Sequence, residues 1–429
     1  MKNYIKLNPV SFVNGNITLP GSKSISNRVL LIASMACGKT RIKNLLNSMD
    51  IKYMLLALKK IGIKYKINYK KKSCEIEGIG GPLQINSKEP IFLGNAGTAI
   101  RPLTAVLSLA NKNDIVLTGD ERMKERPINH LVDSLKQTGS NIKYCSKLNY
   151  PPIHIKGGYL GGNITIDGSI SSQFLTSLLI SSPMAVNDTK ISVIGNLVSK
   201  PYIDITINIM KKFGVEVINN SYKKFYVYGN QRYKANNNFL IEGDASSASY
   251  FLSAAAIKGG TVKVYGLGKN SIQGDLDFVK VLRKMGAKIE ISENYVSCTK
   301  KKLNGIDMDM NHIPDAAMTI ATTALFADGV TKIRNIYNWR VKETDRLSAM
   351  SNELKKTGAS IKEKKDSIFI YPPVNFRSSI INTYNDHRMA MCFSLLSLSK
   401  KNVTINNPQC TNKTFPEYFN IFGQICHYF

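Results

Sequence analysis

One pattern returns along the chain at a nearly constant interval and limits what it can fold into. An amphipathic segment turns basic near its end, closes on glycine, and leads into an alternating, strand-like run. Its copies are "MLLALKKIGIKYKI" at Gly62, "HLVDSLKQTGSNIKY" at Gly139, "INIMKKFGVEVI" at Gly214, "FVKVLRKMGAKIEI" at Gly286 and "MSNELKKTGASIKE" at Gly358. A sixth, "FPEYFNIFGQIC", carries Gly423, so the spacings are 77, 75, 72, 72 and 65 residues. Glycine after a basic last turn is helix-closing chemistry, because it enters the left-handed region freely and the cations face the negative end of the helix dipole.

A second helix type alternates with the first and is apolar almost all round: "GSKSISNRVLLIASMA", "GNAGTAIRPLTAVLSLA", "GSISSQFLTSLLISS", "GDASSASYFLSAAA", "IPDAAMTIATTALFA" and "YNDHRMAMCFSLLSLS". A helix without a polar face belongs in an interior. Strand-like runs such as "NITIDG" and "TVKVYG" lie between. The expected fold is α/β, with six units of about 70 residues, three to a domain, buried helices behind sheets, and a boundary near residue 242.

Side chains of unusual chemistry cluster where these helices begin. Lys23, Ser24 and Arg28 open one; Gly97 and Arg101 another; then Ser171, Ser172 and Gln173, Asp315, and His387 with Arg388. The Gly-closed helices add Asp50, Arg126, Ser199 with Tyr202, Lys342 with Arg346, and Lys413. Individually these are ordinary: Asp315 after Pro314 reads as an N-cap, "WRVKETDRL" as a charged helix start in water. On equivalent repeat positions they describe helix N-termini turned toward an anionic ligand.

Composition narrows the class. The net charge is +28, but 46 of the 58 basic residues are lysines scattered along the chain. Seven of the twelve arginines (28, 101, 122, 126, 340, 346, 388) fall in these motifs or in "RMKERPI", and the guanidinium fork matches carboxylate and phosphate. The arginines are therefore the signal and the lysines a background. Seven cysteines without a CxxC pair and five histidines without HxH or HxxxH give no disulfide frame or zinc site. "ASMACGKT" has P-loop lettering in the wrong context. No apolar run spans a membrane, and "MKNYIKLNPVSFVNG" has no signal-peptide core, so a cytoplasmic protein is expected. Asp315 and Glu343, carboxylates amid cations, suit acid–base group transfer between small anions.

"LPGSKSISNRVLLIASMACGKT", "LGNAGTAIRPL", "RMKERPI", "GSISSQFLTSLLISSP", "VSKPYIDIT", "EGDASSASYF", "MDMNHIPDAAMT", "NWRVKETDRL", "YNDHRMAMCFSL" and "KTFPEYF" follow one another from about residue 5 to 422. In these the chain resembles the EPSP synthase (3-phosphoshikimate 1-carboxyvinyltransferase) family. The resemblance implies transfer of the enolpyruvyl group of phosphoenolpyruvate to the 5-hydroxyl of shikimate 3-phosphate, with release of phosphate. It implies two similar globular lobes, each of three βαβαββ-type repeats with buried helices, like an inverted α/β barrel. The lobes would be 23–241 and 1–22 plus 242–429, the first mainly binding shikimate 3-phosphate and the second carrying the catalytic aspartate and phosphoenolpyruvate contacts.

By the same resemblance Ser24, Arg28, Ser171, Ser172, Gln173, Ser199, Tyr202, Asn338 and Lys342 bind shikimate 3-phosphate, and Lys23 touches both substrates and is catalytic together with Asp315 and Glu343. Gly97, Arg126, Arg346, Arg388 and Lys413, helped by Gln173, hold phosphoenolpyruvate. His387 joins the substrate-binding candidates by its position beside Arg388. Asp315 takes the 5-hydroxyl proton and Glu343 protonates the enol methylene. No cofactor, metal, nucleic acid or membrane is implied, and the family's usual state is a monomer. Gly97, Thr98 and Pro102 match the glyphosate-sensitive form. The family's Ser-Asp-Asp is Ser48-Met49-Asp50 here, which puts one helix-start contact in question. The sister transferases, acting on a UDP-amino sugar, carry a reactive loop cysteine; here that loop reads "RMKERP", with no cysteine between Cys74 and Cys145. A nucleic-acid-binding protein is the other alternative, motivated by the charge alone.

Overall fold

The computed structural model describes residues 3–429. The chain divides into two units, residues 21–241 and residues 1–20 with 242–429. The first crossing lies at Pro20–Gly21, two residues before the expected position. Gly21 is the reason: a Cβ there would sit 2.0 Å from the Asn44 carbonyl oxygen, so its backbone is locked onto the unit of 21–241.

In the unit of 21–241 the complete repeat is strand, buried helix, strand, amphipathic helix, hairpin. Strand Gly162–Asp167 leads through helix Ser172–Ser181 to strand Thr189–Ile194, which lies parallel to the first with Ile164 opposite Ile191. Helix Pro201–Lys212 then leads to strands Ile218–Asn220 and Lys224–Val227, which complete a mixed four-stranded sheet. The same order recurs through Ile91–Phe92, Gly97–Leu107, Ile115–Thr118, Asn129–Lys136, Ile142–Tyr144 and Ile153–Ile155. The remaining repeat holds Lys23–Met35, Cys37–Lys43, Met49–Ile61, Lys64–Asn68 and Ser73–Ile79. Its parallel edge strand, Phe239–Leu240, comes from the far end of the unit and pairs beside Ile42 and Lys43, which ties the two ends of the unit together.

The other unit repeats the plan. Gly15–Thr18 lies parallel to Thr261–Tyr265, Asp307–Asp309 to Thr331–Arg334, and Ser379–Ile381 to Val403–Asn406. The N-terminal strands are stitched in here: Tyr4–Leu7 pairs with Val403–Asn406, and Val10–Val13 with Cys426–Tyr428.

The apolar helices form the interior of each unit. From Ala245 to Ile257 every residue of helix Ala245–Lys258 is buried, as is every residue from Ile25 to Met35 of helix Lys23–Met35. Their hydroxyls survive burial by bonding back along the helix, as Ser34 does to Leu31 O (2.7 Å), Thr104 to Ile100 O (2.8 Å) and Ser177 to Gln173 O (2.7 Å). Others join neighbouring helices: Ser249 meets Thr319 at 2.7 Å and Thr323 donates to Ser253 at 2.9 Å. The outer strand faces alternate into water and carry part of the lysine excess, including Lys39, Lys43, Lys64 and Lys66. Among the described residues no helix is long and apolar enough to cross a membrane.

The glycine repeat is five-sixths structural. Gly62, Gly139, Gly214, Gly286 and Gly358 all have positive φ. Gly423 instead lies inside helix Tyr418–Gln424, because the chain passes directly into the strand Cys426–Tyr428. The two kinds of glycine should respond oppositely to alanine. Gly286 has φ 113° and a Cβ there would lie 2.3 Å from Lys302 O, so Gly286→Ala should destabilise its unit by about 1–3 kcal/mol. At Gly423 a Cβ meets nothing within 4 Å, and alanine should stabilise by roughly 0.5–1 kcal/mol. Chemical-denaturation midpoints moving in opposite directions check this.

Candidate functional site

In the unit of 21–241 the starts of three buried helices are tied to one another by polar side chains. Arg28, on helix Lys23–Met35, is buried; its Nε donates to Thr206 Oγ1 (2.8 Å), Nη1 to Ser24 O (2.9 Å), and Nη2 to Thr176 Oγ1 (3.2 Å) and Tyr202 O (3.3 Å). These partners are uncharged oxygens, and burial pulls the guanidinium pKa down to about 10, still cationic at neutral pH. Asn27 Nδ2 donates to Thr98 Oγ1 (2.8 Å), linking that helix to the start of Gly97–Leu107.

Arg101, on helix Gly97–Leu107, donates to Gln173 Oε1 and to Pro127 O (3.2 Å), with its guanidinium 5.1 Å from the Phe174 ring centroid. Arg126 grips Asn95 through Oδ1 (2.7 Å) and O (3.2 Å). Its buried Nε has no hydrogen-bond partner among the described residues. Gly97 is the floor of this group: a Cβ there would lie 2.8 Å from Arg126 Nη2, 3.0 Å from Arg101 Nη1 and 3.1 Å from Gln173 Oε1.

Ser171 caps helix Ser172–Ser181 by accepting from Gln173 N (3.3 Å). Ser172 is buried beside it. Ser199, buried with φ 54°, precedes helix Pro201–Lys212, which carries Tyr202. Lys23 Nζ reaches Asp50 Oδ2 at 3.3 Å. Met49, the departure noted above, is 37% exposed, so it does not disturb that ion pair.

The other unit holds a dense carboxylate–guanidinium cluster. Arg346, 1% exposed, opens helix Arg346–Lys356. Its Nε donates to Asp386 Oδ2 (2.7 Å), Nη1 to Asp315 Oδ1 (2.8 Å), and Nη2 to Glu343 Oε2 (2.9 Å) and Asp386 Oδ1 (3.4 Å). Arg388 Nη2 donates to Asp315 Oδ2 (2.8 Å) and Nη1 to Tyr250 OH (3.1 Å). Lys342 Nζ stands 3.6 Å from Asp315 Oδ1. Asn338 and His387 are buried near these groups in sequence, and Lys413 ends the turn Pro408–Lys413.

Asp315 is therefore not a helix cap. Helix Ala317–Thr323 has Ala316 at its N-cap, and the Asp315 carboxylate is spent on Arg346 and Arg388. Nor is "WRVKETDRL" a solvated helix start, since Asp345 caps Ser348 N while Arg346 points inward.

Burial pushes the Asp315 pKa up, but Arg388, Lys342 and Arg346 outweigh it and hold the carboxyl well below the usual range. A depressed pKa adds stability that is complete above the unfolded value of about 3.9 and is lost as pH falls through the folded value. Acidification below about pH 4 should therefore cost the parent protein more than Asp315→Asn, by up to about 1.4 kcal/mol per pH unit for the missing proton. Urea midpoints for both proteins between pH 6 and 3 measure the difference.

Each unit thus holds a guanidinium-rich cluster suited to a small anion, built on neutral oxygens in the unit of 21–241 and on carboxylates that suit proton transfer in the other. The model of the family EPSP synthase (3-phosphoshikimate 1-carboxyvinyltransferase) matches residues 7–422. The chain belongs to the EPSP synthase family. It is 59% identical over 429 residues to the 3-phosphoshikimate 1-carboxyvinyltransferase of Erwinia tasmaniensis, covering 100% of both chains. It is 61% identical over 425 residues to that of Buchnera aphidicola subsp. Acyrthosiphon pisum, covering 99% of each. A solved EPSP synthase structure from Acinetobacter baumannii superposes with a TM-score of 0.83 at 25% identity, covering 99% of this chain and 98% of that one. The α/β, two-lobed repeat architecture expected from the sequence is the architecture of this family.

Sequence reasoning passed over Asp386 as a site residue. It is fully buried, clasps Arg346 with both oxygens and caps Arg388 N (2.9 Å). The available signal was an aspartate immediately before a helix start. Arg101 was visible as a motif arginine, but its bond to Gln173 joins residues 72 apart and has no local signature.

Proposed function

We infer that this chain is a 3-phosphoshikimate 1-carboxyvinyltransferase, moving the carboxyvinyl group of phosphoenolpyruvate onto the 5-hydroxyl of shikimate 3-phosphate. The observation that carries the reading is Asp315, an ionised carboxylate held by Arg346 and Arg388 in a chain of this family.

In the addition, a bond forms between the 5-oxygen of the acceptor and C2 of phosphoenolpyruvate. The hydroxyl proton goes to Asp315 and C3 gains a proton, a step assigned to Glu343. In the elimination, the bond from C2 to the phosphate oxygen breaks, C3 returns a proton to Glu343, and phosphate leaves with the proton that Asp315 had taken. At rest Asp315 is a weak base, because three cations stabilise its charge. An arriving anion that takes Arg388, Arg346 and Lys342 as partners would relieve that stabilisation and make Asp315 a stronger base at the moment of use. Ground-state pairing thus keeps the base dormant until the donor is bound.

Arg28, Ser24, Ser171, Ser172, Gln173, Ser199, Tyr202, Asn338 and Lys342 are assigned to shikimate 3-phosphate. Gly97, Arg126, Arg346, Arg388 and Lys413 are assigned to phosphoenolpyruvate, and Lys23 to both. Guanidinium groups held in place before the substrates arrive supply charge stabilisation without reorganisation. The reaction as written needs no cofactor, no nucleic acid and no second copy of the chain, and is assigned to a cytoplasmic monomer.

Phosphate release tests this. It should require both substrates together and be absent with either alone. Release from phosphoenolpyruvate without the acceptor, or none from folded protein with both, would sink the reading.

A further inference from the structure

Helix Arg346–Lys356 holds the turn that precedes Arg388 at two points. The first is Arg346, whose Nε bonds Asp386 Oδ2 at 2.7 Å. The second is Glu353, seven residues and about 10 Å further along the helix. Glu353 is fully buried. Its Oε1 accepts from Tyr384 OH (2.9 Å), and its Oε2 from Asn382 N (3.0 Å) and Lys356 Nζ (2.6 Å).

The gripped segment is one that would not keep its shape unaided. Tyr384 and Asn385 are consecutive non-glycine residues in the left-handed region, with φ of 52° and 55°. Such conformations persist where surrounding contacts over-determine them. Further contacts include Asp386 N to Thr383 O (2.8 Å), Asn407 Nδ2 to Asn385 Oδ1 (3.2 Å), Asn406 Nδ2 to Asn382 Oδ1 (2.9 Å) and a hydrogen bond between Tyr384 and Asn352. Immediately after the turn come Asp386, which clasps Arg346, and Arg388, which reaches Asp315 at 2.8 Å.

The two grips differ in kind. Arg346 is a group the donor anion would compete for, so its hold on Asp386 weakens when the site is used. Glu353 lies away from the anion-binding cluster and makes no contact that the donor would replace. We propose that the Glu353–Tyr384 pair is a positioning clamp that keeps Asp386 and Arg388 in register while Arg346 turns to phosphoenolpyruvate. This rests on the assignment of Arg346 and Arg388 to phosphoenolpyruvate given above.

The variants are Tyr384→Phe, Glu353→Gln, Glu353→Ala and the double Tyr384→Phe/Glu353→Gln, with Arg388→Ala as a control on the donor assignment. Tyr384 is 41% exposed, so removal of its oxygen leaves the core intact. Tyr384→Phe should raise KM for phosphoenolpyruvate about tenfold, the effect of losing a hydrogen bond to a charged group. kcat and KM for shikimate 3-phosphate should stay within about twofold. Glu353→Gln keeps one acceptor oxygen where the carboxylate has two, serving Tyr384 or Asn382 but not both, and should be milder than Glu353→Ala. The double variant should be no worse than Tyr384→Phe alone, because that substitution has already removed the hydrogen bond that Glu353→Gln weakens.

A fall in melting temperature with both KM values unchanged would overturn the clamp and leave Glu353 a stabilising residue. Equal rises in both KM values would also overturn it. If Arg388→Ala leaves KM for phosphoenolpyruvate unchanged, the donor assignment fails and the clamp fails with it. A donor effect in Arg388→Ala with none in Tyr384→Phe refutes the clamp alone.

Discussion

Asp315→Asn is expected to lower kcat by about a thousandfold, within the range for loss of a positioned general base. The substitution keeps the side chain's size and one acceptor oxygen. It removes the charge that Arg388, Arg346 and Lys342 surround. The protein should remain folded, because Arg346 retains Asp386 and Glu343, and Arg388 retains Tyr250. Donor affinity should move the other way from turnover. Three cations that have lost a competing carboxylate are better placed to take a substrate anion, so KM for phosphoenolpyruvate should be unchanged or lower. Steady-state kinetics with equilibrium donor binding separate these effects. A kcat within tenfold of the parent would remove Asp315 from the proton transfer.

Gly97→Ala should raise KM for phosphoenolpyruvate about 10- to 100-fold, the equivalent of the roughly 1.5–3 kcal/mol of a displaced charge-assisted hydrogen bond. The added carbon would lie 2.8 Å from Arg126 Nη2 and 3.0 Å from Arg101 Nη1. Both atoms end flexible side chains, so they yield, and the guanidinium groups leave the positions assigned to the anion. The backbone has no reason to object. Gly97 opens its helix at an ordinary φ, and alanine is the better helix former by about 1 kcal/mol. The variant should therefore melt no lower than the parent while binding its donor more weakly. Glyphosate inhibition, which the resemblance implies is donor-competitive, should weaken in parallel. A change in KM for shikimate 3-phosphate as large as that for phosphoenolpyruvate would contradict this division of roles.

The sequence carried the repeat because helix closure is local chemistry. Gly62 or Gly286 can be recognised from its own neighbours, since a basic last turn and a left-handed residue are decided within a few positions. Gly423 misled for the same reason: its letters fit the pattern, but the pairing of Cys426–Tyr428 with Val10–Val13, far away in sequence, decides the backbone there. Buried helices were legible because a helix apolar all round leaves no alternative to burial. What bound them together was not. The contacts Ser249–Thr319 and Thr323–Ser253 each join residues 70 apart, and Ser and Thr are unremarkable in any one helix.

The candidate residues were legible as a group of odd positions, while their partners were hidden. Asp315 and Arg346 were each singled out, but each had a bland local reading that only their 2.8 Å contact removes. Asp386 was hidden because its local role, capping its helix, is genuine, and its bond to Arg346 spans 40 residues. Local chemistry thus disclosed the periodicity, and long-range pairing determined which atoms of each repeat met.

The central claim is tested most directly by following the carboxyvinyl carbon. Phosphoenolpyruvate labelled with carbon-13 at C2 and C3 would be incubated with the protein and either shikimate 3-phosphate or UDP-N-acetylglucosamine, and the products read by NMR. The predicted result is a labelled enol ether on the 5-oxygen of shikimate 3-phosphate, with one phosphate released per ether, and no product with the UDP sugar. An enol ether on the UDP sugar, or no labelled ether with either acceptor from folded protein, would contradict the account.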